Sequence, residues 1–107
     1  MNVEILYFEG CPNHAPALEM VRCVLDREKI EAEVRLIEVT DEKVAETVRF
    51  IGSPSVRVDG VDIEPGREED PPFFGCRTYT LDGKTAGVPP EKWLVDALRR
   101  GIRRGGE

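Results

Sequence analysis

The order of apolar and polar positions divides the chain into strands and helices in alternation. Val3-Glu4-Ile5-Leu6-Tyr7-Phe8 is almost continuously apolar and rich in β-branched and aromatic residues, the pattern of a central buried strand. From Pro12 to about Lys29, Leu18, Val21 and Leu25 recur at spacings of three and four. Ala17, Met20 and Val24 widen the same face, which predicts a helix. Pro12 suits its first position, and Pro16, a turn later, is expected to disturb it locally. Glu33 to Val39 predicts a second strand, with Val34, Leu36 and Glu38 on one face and Arg35, Ile37 and Val39 on the other.

Thr40-Asp41-Glu42-Lys43 reads as a second helix start, with Val44, Ala45, Val48 and Ile51 as its core stripe and Gly52 closing it. Ser53 to Val61 follows as a proline-led strand that ends in the tight-turn pair Asp59-Gly60. Glu64 to Pro72 is polar and proline-containing and predicts a loop. Phe73-Phe74-Gly75, in the same loop, either anchors it in the core or covers a site as a lid. Cys76 to Thr80 predicts a further strand, closed by Asp82-Gly83. Val88-Pro89-Pro90 then opens a last helix with the stripe Trp93, Leu94, Ala97, Leu98 and Ile102, and residues 104–107 are expected to fray. The resulting order is β-α-β-α-β-β-α. It predicts an α/β domain with a mixed central sheet, parallel through the crossovers and antiparallel at the late pair, with helices on both faces.

Length and composition narrow the function classes. A chain of 107 residues, 40% hydrophobic and 34% charged, fits one globular domain spanning 1–107. No apolar run approaches the roughly 20 residues that span a bilayer. No basic segment leads into a long apolar one, so a cytoplasmic location is expected. In a reducing compartment the three cysteines read as catalytic, metal-binding or inert rather than as a disulfide framework. A net charge of −6 argues against nucleic-acid binding. The basic group Arg99, Arg100, Arg103 and Arg104 falls at the end of the last helix, where cations offset its dipole. The acid run Glu68-Glu69-Asp70 reads as a solvated loop.

The candidate chemistry starts at Cys11, in the turn from the first strand into the first helix. Unsatisfied backbone N–H groups and the positive end of the helix dipole favour a thiolate there. His14 follows by three residues and shares the Cys11 face if helical geometry already holds. It then either hydrogen-bonds the thiolate, acts as acid or base, joins Cys11 on a soft metal, or is an idle exposed side chain. Cys76 reads as a resolving thiol, a metal ligand or a packed strand residue. Cys23 lies about 18 Å from Cys11 by helical rise, too far for a disulfide, and is expected in the core.

Two separated motifs, Phe8-Glu9-Gly10-Cys11-Pro12-Asn13-His14 and Gly52-Ser53-Pro54-Ser55-Val56, together with the element order, resemble the thioredoxin fold over nearly the whole chain. The chain looks most like the small "DF family" thioredoxin-like proteins of bacteria and archaea, which pair a Tyr-Phe-(Glu/Asp)-Gly-Cys-Pro segment with a later Cys-Arg-x-Tyr strand, here Cys76-Arg77-Thr78-Tyr79. The resemblance implies a cis peptide before Pro54 and a substrate-binding corner of Pro12, Ser53 and Pro54, with the Ser53 backbone presented to an extended substrate. His14 stands where two-thiol oxidoreductases carry their second cysteine, so a dithiol cycle inside the motif is impossible.

Three functions follow as expectations. The first is thiol–disulfide exchange on a protein or small-molecule partner through Cys11, with His14 assisting and resolution by Cys76 or an external thiol. The second is a soft metal or metalloid module (zinc, copper or mercury) with Cys11, His14 and Cys76 as ligands. The third is a redox-inactive interaction domain. The first calls for no cofactor, and a four-thiolate iron–sulfur cluster would need more cysteines than the chain has.

Overall fold

Val3, Ile5 and Leu6 have no solvent exposure, which puts the first strand at the centre of the molecule. The computed structural model describes residues 1–105, with side chains described through 103. The chain runs β1 (Asn2–Tyr7), α1 (His14–Arg27), β2 (Glu33–Glu38), α2 (Glu42–Val48), β3 (Ile51–Ser53), β4 (Ser55–Val58), β5 (Val61–Asp62), β6 (Phe73–Cys76), β7 (Tyr79–Leu81), β8 (Lys84–Ala86) and α3 (Glu91–Gly105). The main sheet has the order β2-β1-β4-β5. β1 pairs parallel with β2, from Asn2↔Glu33 to Tyr7↔Glu38, and antiparallel with β4, from Val3↔Val58 to Leu6↔Ser55. β5 adds antiparallel to β4. The sheet is therefore mixed, in an α/β domain with three helices.

Alternation along β1 divides the core between the two faces of this sheet. Val3 and Ile5 join Val56 and Val58 of β4 under Ala17, Val21, Val24 and Leu25 of α1 and Leu94, Ala97 and Leu98 of α3. Leu6 points the other way and packs with Val39, Ala45 and Phe50 beneath α2. Two helices thus cover one face and one covers the other. Among the described residues no helix is long and apolar enough to cross a membrane.

The structure corrects the sequence expectations at several elements. The second helix does not run to Ile51 and Gly52. It starts at Asp41, whose Oδ1 accepts the Val44 N–H at 2.8 Å, and it stops at Val48. Arg49 takes the left-handed capping conformation (φ 57°), so Ile51 and Gly52 become β3. Helical spacing between Val48 and Ile51 concealed this break, because a buried strand residue satisfies the same apolar pattern.

The expected strand from Cys76 to Thr80 divides in two. Cys76 ends β6, which pairs parallel with β3 in a sheet of its own through a bulge, Ile51↔Phe73 and then Ser53↔Cys76. Tyr79 begins β7, which forms a separate hairpin with β8. Among the described residues eight short strands replace the four expected, and the fourth strand of the main sheet is β5. Both Asp-Gly pairs turn as expected, with positive φ at Asp59, Gly60, Asp82 and Gly83.

Smaller departures have local causes. α1 begins at His14 rather than Pro12 and continues undisturbed through Pro16, whose position in the first turn needs no N–H. Cys23 is exposed on that helix rather than in the core. Leu36 is 46% exposed because β2 is a sheet edge, and Ile102 is 47% exposed on the far end of α3. Of the tail expected to fray, Arg104 and Gly105 belong to α3, and residues 106–107 lie outside the described residues.

Candidate functional site

The carboxyl end of β1 leads into a turn at Glu9-Gly10, with Gly10 at φ 92°. The Cys11 N–H donates to the Phe8 carbonyl at 3.2 Å and closes this turn. Cys11 therefore sits ahead of the first turn of α1, not within it, and is only 2% exposed. Asn13 occupies the cap position without a side-chain capping bond.

His14, the first residue of α1, does not share a helical face with Cys11, because no helix has begun at Cys11. Its Nδ1 lies 2.8 Å from the Cys11 carbonyl oxygen. A carbonyl can only accept, so Nδ1 carries the proton in this contact. The imidazole also stacks on Tyr7, with centroids 4.5 Å apart and planes 18° apart. His14 thus ties the Cys11 backbone to the end of β1 through its ring face and one nitrogen.

The antiparallel register Leu6↔Ser55 brings the Ser53–Pro54 bond to the same end of the sheet as Cys11. That bond is cis. Four contacts hold the segment around it. The Ser55 hydroxyl donates to the Gly52 carbonyl at 2.6 Å. The Arg77 N–H donates to the Ser53 carbonyl at 2.9 Å. The Tyr79 hydroxyl donates to the Pro54 carbonyl, and Arg77 Nη1 donates to Ser55 Oγ at 2.9 Å. Gly52, at φ 118°, is required here: a Cβ would lie 2.7 Å from the Cβ of Arg77.

Arg77 organises this clamp. It is 5% exposed, and its guanidinium takes Asp62 bidentately at 2.8 and 2.9 Å and Glu64 at 2.9 Å. It also lies 4.5 Å above the Tyr79 ring. Burial by itself would lower the Arg77 pKa, but the hydrogen bonds and charge of Asp62, with the hydrogen bond to Glu64, outweigh it and hold the guanidinium above its ordinary value. Burial pushes the Tyr79 phenol well above its ordinary value, with Arg77 opposing only in part. Ser53 Oγ and Arg77 Nε are buried with no hydrogen-bond partner.

The three cysteines Cys11, Cys23 and Cys76 are all free thiols. Cys76 is exposed at the end of β6, in register with Ser53, beside the cis-proline segment. Exposure is thus the reverse of what a solvent-facing Cys11 and a packed Cys76 would give. Among the described residues no three His, Cys, Asp or Glu side chains group closely enough to hold a metal ion. The three-ligand set Cys11, His14 and Cys76 does not assemble. Pro12 is exposed beside Cys11, whereas Ser53 has no exposure and its carbonyl is already taken by Arg77.

Sequence reasoning missed the Arg77–Asp62–Glu64–Tyr79 cluster. Its signal was present: Asp62 and Glu64 lie two apart around Ile63, as Arg77 and Tyr79 do around Thr78, so each pair can share a face. Only the fold brings the two pairs together. Comparison with known proteins finds no match to a family model, to a curated protein or to a solved structure.

Proposed function

We propose that this chain is a cytoplasmic thioredoxin-like thiol protein that carries out thiol–disulfide exchange through Cys11, with Cys76 or an external thiol resolving the product. The observation that carries the reading is the placement, at the same end of the sheet, of Cys11 and the cis Ser53–Pro54 segment that has Cys76 in register beside it. The strand order β2-β1-β4-β5, with a cis proline leading the antiparallel strand, supports the thioredoxin-like architecture.

In the exchange, the Cys11 thiolate attacks one sulfur of a partner's disulfide. A Cys11–partner bond forms as the old S–S bond breaks, and the departing sulfur leaves as a thiolate that takes a proton from water. The Cys76 thiolate then attacks the Cys11 sulfur, giving a Cys11–Cys76 disulfide and releasing the second partner thiol. An external thiolate instead attacks the partner's sulfur in the mixed disulfide, which gives a partner–external disulfide and releases Cys11 as a thiolate. At 2% exposure Cys11 has to be uncovered before attack, so opening of the Glu9–Asn13 turn precedes the first step.

That burial, together with the occupied Ser53 carbonyl, favours a second reading as a redox-inactive interaction domain. Incubation with glutathione disulfide, followed by intact-protein mass spectrometry, separates the two. With the adduct located by peptide mapping, exchange predicts glutathione on Cys11 that is absent in Cys11→Ser and accumulates at Cys11 in Cys76→Ala, with Cys23→Ser in the background of every variant. Exchange that is unchanged in Cys11→Ser sinks the first reading, and an unreacted Cys11 in folded protein supports the second.

A further inference from the structure

Phe73 and Phe74 are 55% and 38% exposed, the largest apolar side chains that the surface presents on a strand. The Phe73 ring folds back over Gly75, where a Cβ would lie 2.6 Å from it. Phe74 takes the opposite face of β6, in contact distance of Phe8 (5.5 Å between centroids) and Phe50 (6.5 Å). It forms a ridge between two open clefts. One, of about 350 Å³, is lined by Glu42, Ala45, Glu46, Pro72, Phe73 and Phe74. The other, of about 280 Å³, is lined by Phe8, Glu9, Glu38, Val39, Thr40 and Phe74.

Two further observations say what such a surface takes. Among the described residues β6 pairs with β3 alone, which leaves its other edge without a strand partner. Each cleft carries two exposed glutamates, Glu42 and Glu46 in one and Glu9 and Glu38 in the other. None of the ion pairs among the described residues uses any of these four. Acids left without cations around an apolar ridge repel a second copy of this net-acidic chain and attract a basic one.

We infer that β6 is a docking edge for an extended, lysine- or arginine-bearing segment of a partner protein, which adds as a strand beside Phe74 and sets its apolar side chains in the two clefts and its cations against the glutamates. Main-chain pairing supplies generic affinity, and the alternation of pockets and acids supplies selectivity. Neither Cys11 nor Cys76 lines either cleft, although Cys76 ends the same strand.

The test uses a fluorescein-labelled synthetic peptide alternating lysine with phenylalanine, titrated with the full chain and read by polarisation and by amide NMR shifts. Saturable binding is expected, weakening with salt, with shifts confined to residues 8–9, 38–46 and 72–76. Phe74→Ser and the double variant Glu42→Gln/Glu46→Gln are each expected to weaken it about tenfold or more, and Cys11→Ser not at all. The glutamate-for-lysine peptide and one methylated on alternate backbone nitrogens should fail to bind. Shifts elsewhere, equal binding of either control peptide, or no saturation overturns the inference. So does self-association of the chain abolished by Phe74→Ser, which would assign the face to a second copy. The NMR map on wild-type protein decides even if Phe74→Ser does not fold.

Discussion

Removing the Arg77 guanidinium tests whether the clamp on the cis-proline segment depends on a buried charge. Arg77→Met keeps most of the side-chain length and removes the donors to Asp62, Glu64 and Ser55. Glu64 retains Arg67 at 2.9 Å, and Asp62 keeps the Glu64 N–H at 2.8 Å and the charge of Arg57. The Asp62 side chain is 10% exposed and that of Arg77 3%, so this pair is not a solvent-screened surface bridge. Breaking such a pair from one side leaves a largely buried carboxylate without its closest cation and costs about 3 kcal/mol, the low end for buried pairs because Arg57 compensates in part. Against a total stability of about 5–15 kcal/mol for a domain, that is a large fraction. Urea unfolding followed by fluorescence measures it. Trp93 is the single tryptophan, and its ring lies 6.1 Å from that of Tyr79, so it reports on this region. Neutralising the stranded charge should help: the double variant Arg77→Met/Asp62→Asn is expected to recover at least about 1 kcal/mol of the loss. A cost for Arg77→Met below about 1 kcal/mol, the range of exposed pairs, would refute the reasoning, as would no recovery in the double variant.

Gly52→Ala meets the Cβ of Arg77 at 2.7 Å as well as a positive φ of 118°, whereas Gly60→Ala at φ 84° meets open space. The same unfolding assay should show Gly60→Ala costing about 1–2 kcal/mol and Gly52→Ala at least about 1 kcal/mol more, and equal costs would deny the crowding. Tyr79 ionises in the folded protein only above its ordinary value of 10.0, so its contribution to stability is complete below pH 10 and is lost as pH rises from there. Stability measured across that range should fall more steeply in wild type than in Tyr79→Phe, and parallel curves would contradict the burial of this phenol.

The expectations that survived rest on short-range rules. An apolar β-branched run gave the central strand, period 3.6 gave α1 and α3, and the start of α2 fell where expected, though the Asp41 carboxylate and not the Thr40 hydroxyl caps it. Asp59-Gly60 and Asp82-Gly83 turned because such pairs tolerate positive φ. The expectations that failed depended on partners. Whether Ile51 ended a helix or began a strand was decided by Phe73, which pairs with it from a distant part of the chain. Cys23 is exposed where the core was expected, and Cys76 is exposed rather than packed, because exposure depends on which face of an element the rest of the fold covers.

Local pattern thus determined by itself that this chain alternates strands and helices and places Cys11 at a strand-to-helix turn, since periodicity, capping and turn chemistry act over a few residues. Tertiary structure alone decided the surroundings of that turn. It buried Cys11, left Cys76 exposed beside Ser53, and drew Asp62, Glu64, Arg77 and Tyr79 into one cluster around Pro54. Burial and ion pairing belong to groups far apart in sequence, so no window along the chain contains them.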